Sequence, residues 1–217
     1  MEKTIITILL ALVAVTGLAQ TKVVLHMADN KTFECSVSQL DSITFEDDGF
    51  IIVDEHEWVD LGLPSGTLWA TCNVGANSPE EYGDYFAWGE TEPKGDYIWE
   101  TYTHCEGDYN VLTKYCIDNS YGYNGFTDGL KELLPEDDAA TTNWGNGWQM
   151  PSLDQLSELI NSNYTIRTIV EQNGARGLQI KSRTNGESVF LPEAGFVQGR
   201  NPRAGFSGYY WSRSLGT

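Results

Sequence analysis

The clearest chemical feature of the sequence is an aromatic-rich segment between Tyr82 and Phe126, in which asparagine, aspartate and glycine surround the rings. Tryptophan and tyrosine present flat apolar faces with a polar tip, which suits stacking on sugar rings and contact with protein partners alike. The candidate ligand-binding residues are Trp99, Tyr102, Tyr109, Tyr121 and Tyr123. For these five residues, the sequence is equally consistent with binding at the surface and with packing in the core. Five tryptophans in strand-like or motif segments are instead predicted to be core residues: Trp69, Trp88, Trp144, Trp148 and Trp211.

Acidic side chains are the second candidate for chemistry. The densest run, Glu136, Asp137 and Asp138, is the candidate site for calcium, which binds several carboxylate and carbonyl oxygens. The formal net charge is −18, and acidity of this kind also serves simply to keep a protein soluble. Such a charge repels phosphate backbones, so nucleic acid is not an expected partner. No cofactor other than calcium is predicted.

Residues suited to catalysis do not form a recognisable set. His26, His56 and His104 are isolated, and the motifs of serine hydrolases, zinc proteases and phosphate-binding loops do not occur. Neighbouring carboxylates, such as Glu90 with Glu92, would support hydrolysis only if both faced one cleft. The sequence therefore predicts a protein that is not an enzyme.

The four cysteines are Cys35, Cys72, Cys105 and Cys116. Four cysteines allow three complete pairings, and an exported protein can form disulfides. Cys105 and Cys116 lie close together in the aromatic-rich segment and are the first candidates for a bridge. Cys72 follows a strand-like run, and a free cysteine packs as a small apolar residue, so a buried free thiol is predicted there.

The N-terminal residues indicate where the chain works. Lys3 precedes an apolar run over residues 5–15, and the small residues Gly17 and Ala19 suit the −3 and −1 positions of a signal-peptidase site. The apolar run is shorter than the roughly 20 residues of a membrane span, and no later segment is apolar enough to be one. Residues 1–19 are therefore predicted to be a signal peptide, which places the protein at the cell surface, in the periplasm or outside the cell.

The remaining chain must supply the elements that position the aromatic residues. Residues 20–48 are predicted to be a small β leader unit with strands near 22–27, 32–37 and 41–45, residues 49–56 a linker, and residues 57–217 the main domain. Ser152 and Gln155 form a capping box that predicts a helix over 153–162, and weaker patterns suggest helices at 128–134 and 166–172. Strands are expected at 58–62, 67–75, 177–182, 188–191, 194–196 and 208–212, with a turn at 63–66 marked by Pro and Gly and a hairpin turn at Asn185 and Gly186. The predicted class is α+β, with short strands, one or two helices and long loops.

A series of motifs follows one another along residues 57–217: VDLGLPSGTLWATCNVGA at 59–76, GDYFAWGE at 83–90, DAA at 138–140, NWG at 143–145, WQMPS at 148–152, FLPEAG at 190–195 and YYWS at 209–212. In this order they resemble the Fibrobacter succinogenes major paralogous domain, a family similar to C-type-lectin-like folds and to formylglycine-generating enzymes. Residues 20–48 resemble the short leader unit that precedes such domains in surface proteins of Bacteroidota-type bacteria.

The resemblance implies a C-type-lectin-like fold, and three departures qualify what it implies. Formylglycine-generating enzymes use a cysteine pair in their C-terminal part, whereas no cysteine follows Cys116 here. Gln149 stands where relatives often have arginine. Family members usually continue past the YYWS segment with one or two more strands, so a domain incomplete at its C-terminus is expected.

The hypothesis that these features favour is an exported, non-catalytic binding module of the cell surface or periplasm, for a carbohydrate or another extracellular ligand. A structural or adhesive surface protein with a protein partner is the first alternative. An enzyme related to formylglycine-generating oxidases is the second, and the missing cysteine pair argues against it.

Overall fold

The computed structural model describes residues 22–26, 32–36, 43–45, 51–53 and 56–216. The chain divides into two compact units, Met1–His56 and Glu57–Thr217. The division lies at the end of the predicted linker. The predicted signal peptide lies outside the described residues.

The described residues of the first unit form two antiparallel strand pairs. Strand β1 (Lys22–His26) pairs with β2 (Thr32–Ser36), and β3 (Ile43–Phe45) pairs with β4 (Ile51–Val53). The three strands predicted in the leader are confirmed. The fourth lies in the segment predicted to be a linker, where Ile51, Ile52 and Val53 give a short β-branched run that suits a strand.

The second unit begins with a small hairpin. Strand β5 (Trp58–Asp60) pairs with β6 (Leu68–Ala70). The turn predicted between them is present, and the Gly66 N–H donates to the Leu63 carbonyl at 2.9 Å. Gly66 has a φ of +70°, a conformation that glycine adopts without steric cost.

Two short α-helices follow the aromatic-rich segment. Helix α1 spans Ala139–Trp144 and helix α2 spans Leu153–Leu159. The predicted capping box is present on α2, where the side chain of Ser152 accepts from the Gln155 N–H and the Gln155 side chain accepts from the Ser152 N–H. The helix is three residues shorter than predicted.

A three-stranded antiparallel sheet forms the centre of this unit. It is composed of β7 (Thr165–Gln172), β8 (Ala175–Ser182) and β9 (Ser188–Pro192), with β8 in the middle. The predicted hairpin between the last two strands is confirmed. The helix predicted over 166–172 is wrong, because that segment is β7, and its β-branched residues suit a strand paired along its whole length with β8.

The C-terminal part contains less regular structure than predicted. Strand β10 (Phe196–Gln198) pairs with β11 (Asn201–Arg203), whereas residues 208–212 make only a single bridge, between Gly208 and Gly195. Residues 128–134 form no helix; a 3₁₀ turn at Pro135–Asp137 and α1 come after them. A strand at 208–212 and a helix at 128–134 were therefore wrong predictions.

The core of the second unit lies between α2, the central sheet and the β5–β6 hairpin. Its buried members are Leu61, Leu63, Leu159, Ile180 and Val189. The second unit thus has the predicted α+β class, with short strands, two helices and long loops among the described residues. In the described part of the chain, no helix has the length and apolar character that crossing a membrane requires.

Candidate functional site: an aromatic surface

Three stretches of the aromatic-rich segment, which we call its three passes, are joined by backbone hydrogen bonds without forming a regular sheet. They lie at residue 104, at residues 112–113 and at residues 121–123. The central pass contains Leu112, whose N–H donates to the Tyr121 carbonyl and whose carbonyl accepts from the Tyr123 N–H, both at 2.8 Å. On its other side, the Thr113 N–H donates to the His104 carbonyl at 2.9 Å. These backbone bonds fix where the side chains of the outer passes lie.

Three of the five predicted binding residues form one exposed row, which we call the aromatic surface: Trp99, Tyr109 and Tyr121. The ring centroids of Trp99 and Tyr109 are 6.1 Å apart, and those of Tyr109 and Tyr121 are 6.3 Å apart. Their exposed fractions are 48%, 53% and 46%. The structure therefore brings these three together and leaves their faces open to solvent.

The other two predicted residues have different positions. Tyr102 contacts Trp99 edge-on at 5.6 Å, and its hydroxyl donates to the Trp88 carbonyl at 2.9 Å. Burial, with a contribution from Glu90, raises the pKa of Tyr102. Tyr102 therefore supports the aromatic surface. Tyr123 is exposed but makes no ring contact with the other four within residues 56–216.

Glu90 anchors the start of the segment. Its carboxylate accepts from the Thr103 N–H at 2.7 Å and forms an ion pair with Lys94 at 2.7 Å. Only 9% of this residue is exposed. The carboxylate is thus occupied in holding residue 103, which lies between Tyr102 and His104.

A buried polar network lies beneath Tyr102. The Asp137 carboxylate forms an ion pair with Lys114 and accepts from the Tyr115 hydroxyl. His104 Nε2 donates to the Gly89 carbonyl at 2.7 Å and lies 3.8 Å from Asp137 Oδ1. The His104 ring also contacts the rings of Tyr102 and Tyr115, each at 5.5 Å. The network connects the aromatic surface to the 3₁₀ turn that precedes α1.

The three acidic residues predicted to bind calcium do not converge. Asp138 caps α1 by accepting from the Thr141 N–H at 3.0 Å, and it also accepts from the Met150 N–H at 2.9 Å. Asp137 belongs to the buried network, and the Glu136 side chain is 65% exposed. No group of three His, Cys, Asp or Glu side chains within the described ranges could hold a metal ion. The carboxylates instead satisfy backbone donors and a lysine, and the predicted calcium site is not formed.

The predicted bridge between Cys105 and Cys116 is absent from the structure. Both thiols are free. Cys105 Sγ donates to the Trp99 carbonyl at 3.2 Å, and the buried Cys116 Sγ donates to the Asp118 carbonyl at 3.1 Å. The two thiols thus contact carbonyls of different segments, one six residues before its cysteine and the other two residues after it. Cys72 is a free thiol, as predicted, and is half-buried.

Sequence reasoning missed a second exposed aromatic region, near the C-terminus. Trp211 was predicted to be a core residue, and it is 55% exposed, beside Tyr209 at 64% and Phe206 at 85%. The rings of Phe196 and Tyr209 contact edge-on at 5.0 Å, with the Arg203 guanidinium 5.9 Å from the Phe196 ring. The glycines and arginines that separate these rings were the available signal, since they favour turns and a solvated surface. The other four tryptophans that were predicted to be core residues are partly buried: Trp69, Trp88, Trp144 and Trp148.

Comparison of the chain with protein-family models, with curated proteins and with solved structures gave no match. The similarity to the major paralogous domain therefore rests on the sequence motifs alone and stays a prediction.

Three tyrosines that are buried or partly buried predict how stability depends on alkaline pH. Burial raises the pKa of Tyr102, Tyr115 and Tyr210, the last to about 12. In the unfolded chain a tyrosine loses its proton near pH 10, while the native state still keeps it, so the free energy of unfolding falls as the pH rises from there. The slope per tyrosine is at most about 1.4 kcal/mol per pH unit. Urea unfolding followed by circular dichroism from pH 8 to about pH 11 should show this loss; unchanged stability would contradict it. In Tyr210→Phe the slope should be smaller.

Proposed function

We propose that this protein is an exported, non-catalytic binding module and that its aromatic surface stacks on a glycan. The observation that supports this most directly is the row of Trp99, Tyr109 and Tyr121, each about half exposed and in contact with the next ring. Exposed aromatic faces with polar tips suit the apolar faces and hydroxyl edges of sugars.

The angles between the rings favour an extended ligand over a flat one. The Trp99 and Tyr109 rings are inclined by 57°, and the Tyr109 and Tyr121 rings by 45°. Successive faces thus turn along the row. A glycan chain that twists from one sugar to the next presents its ring faces in the same manner, so one sugar can lie on each ring.

The support below the rings favours binding by a surface that is already formed. Tyr102 is fixed by its bond to the Trp88 carbonyl, and Glu90 fixes residue 103. The Trp99 carbonyl also accepts from Cys105 Sγ. A surface held in this way loses little conformational freedom when a ligand binds, which improves affinity.

The two buried carboxylates beneath the site, those of Glu90 and Asp137, do not suggest an enzyme. Glu90 and Asp137 are both largely buried, and both are occupied by lysine and by hydrogen-bond donors. A carboxylate that transfers a proton to a substrate must be within hydrogen-bond reach of it. Binding without catalysis is therefore the proposal.

Alanine variants of the aromatic surface test the proposal. Trp99→Ala and Tyr109→Ala are each expected to weaken glycan binding by about 1–2 kcal/mol, or about five- to thirtyfold, as is common for aromatic contacts at the centre of an interface. The measurement is a glycan array with the purified protein, followed by isothermal titration calorimetry on the best ligand.

Phe206→Ala is the matched control, since it removes an exposed aromatic ring outside the aromatic surface. It should leave affinity unchanged. Equal losses in all three variants, or no binding to any glycan by the wild-type protein, would contradict the proposed function.

A structural or adhesive role with a protein partner is the second candidate function. The second exposed aromatic region, at Phe206, Tyr209 and Trp211, favours it, because aromatic residues are enriched at protein interfaces. A binding assay with purified surface proteins separates the two. If Phe206→Ser with Tyr209→Ser abolishes protein binding while glycan binding persists, the protein has two separate binding surfaces.

A further inference from the structure

The charges around the aromatic surface narrow the class of glycan. Residues 96–128 contain one lysine and six carboxylates: Asp96, Glu100, Glu106, Asp108, Asp118 and Asp128. The lysine, Lys114, is already paired with Asp137 and has Glu136 at 3.9 Å. Lys94, just before this range, lies 5.8 Å from the Tyr102 ring but is paired with Glu90, so a ligand on this surface meets a net negative charge.

Two of the six carboxylates have partners elsewhere. Asp96 pairs with Arg200 at 2.8 Å, and Asp128 accepts from the N–H groups of Tyr115 and Cys116. Glu100 and Glu106 follow Trp99 and Cys105 along the chain and are exposed. The exposed negative charge of this segment therefore belongs to these two glutamates and to Asp108 and Asp118.

Asp108 and Asp118 adjoin the tyrosines of the row. Asp108 is the residue before Tyr109, and the Asp118 carbonyl accepts from the Tyr121 N–H at 3.0 Å. Both aspartates are exposed, and the charge of an exposed side chain acts over about 10 Å at 0.1 M salt. Hydrogen bonds from the N–H and hydroxyl of Ser120 lower the pKa of Asp118, so its charge persists in mildly acidic solution.

Aromatic faces and carboxylates together suit a cation. An ammonium group over the face of tryptophan or tyrosine is attracted by the ring electrons. Carboxylates nearby add to that attraction and oppose an anion. A neutral sugar gains from the stacking alone.

We propose that the aromatic surface prefers glycans with protonated amino groups, as in oligomers of glucosamine, over neutral glycans of the same length, and that it rejects glycans with carboxylates. This inference rests on the proposed function. It specifies the charge of the ligand for the same surface.

The test compares three oligosaccharides of equal length by calorimetry in mildly acidic buffer: glucosamine, N-acetylglucosamine and galacturonate oligomers. The glucosamine oligomer should bind about three- to tenfold more tightly than the N-acetylated one, and the galacturonate oligomer should not bind. Rising salt should reduce the preference, because the screening length shortens.

A double variant isolates the cause. Asp108→Asn with Asp118→Asn should reduce the preference for amino groups to the part that Glu100 and Glu106 contribute, while binding of the N-acetylated oligomer stays the same. Asp154→Asn with Glu187→Gln removes the same number of exposed charges outside residues 96–128, and it should keep the preference. Loss of the preference in this control would attribute it to net charge and overturn the inference.

The outcomes also separate the inference from the proposed function. Equal binding of the glucosamine and N-acetylated oligomers, or tighter binding of galacturonate, overturns the inference and leaves glycan binding intact. Binding of none of the three, and of no glycan on an array, overturns both.

Discussion

Replacing Asp137 with alanine is expected to lower the free energy of unfolding by about 3–5 kcal/mol, because it leaves a partly buried charge without its partner. The Asp137 carboxylate is the single acceptor shared by the Lys114 ammonium and the Tyr115 hydroxyl. The Lys114 side chain is only 27% exposed, so water cannot fully replace the lost carboxylate. Urea unfolding at neutral pH, followed by circular dichroism, measures the change.

Glu136→Ala is the matched control for this prediction. The Glu136 carboxylate lies 3.9 Å from the same ammonium but is 65% exposed, and exposed ion pairs contribute at most about 1 kcal/mol. The double variant Asp137→Ala with Lys114→Met should be less destabilised than the sum of the two single variants, since neither charge is then left alone. Equal effects of Asp137→Ala and Glu136→Ala would show that the network does not stabilise the fold.

Replacing Gly122 with alanine is expected to destabilise the protein by about 3 kcal/mol, the upper part of the range for overpacking. A methyl group at this buried position would lie 1.8 Å from the Phe126 carbonyl oxygen. That atom belongs to the backbone, so no side-chain rotation relieves the clash. The bridge between Gly122 and Leu112, which positions Tyr121, would have to shift.

The same variant should also weaken ligand binding, because Tyr121 is the preceding residue. Hydrogen exchange of the Leu112 and Tyr123 amides and calorimetry with the best glycan report the two effects. Gly95→Ala is the control, since a methyl group there meets nothing within 4 Å and the glycine has no left-handed conformation. If Gly122→Ala is as stable as Gly95→Ala, the three-pass arrangement of this segment is wrong.

Elements defined by local interactions could be predicted from the sequence. The capping box of Ser152 and Gln155 needs only four consecutive residues, and it is present with both hydrogen bonds. The hairpin at Asn185 and Gly186 is another case, because a turn of this type requires a positive φ, and Gly186 has a φ of +83°. Such signals depend on no distant partner.

Elements that depend on distant partners could not be predicted in the same way. Ile166, Ile169 and Val170 follow a helical spacing, but eight paired residues between β7 and β8 decide the structure. Asp137 and Asp138 look like a calcium-binding run. Instead, the Asp137 carboxylate accepts from the Lys114 ammonium, 23 positions away, and the Asp138 carboxylate accepts from the Met150 N–H, 12 positions away.

The candidate site shows both cases. All five aromatic residues were proposed as binding residues from their type and their surroundings in the sequence. Only the fold shows that Trp99, Tyr109 and Tyr121 form a row, while Tyr102 lies below them and Tyr123 apart. Ring-to-ring contact depends on the backbone bonds around Leu112, and no short pattern encodes these.

Binding of a glycan to the aromatic surface is tested most directly by a nitrogen–proton correlation spectrum recorded during titration with glucosamine oligomers. We expect the indole N–H of Trp99 and the amides of residues 108–123 to shift in a saturable manner, while the indole N–H of Trp211 does not move. Shifts confined to residues 196–211, or no shift at saturating ligand for any glycan tested, would contradict it.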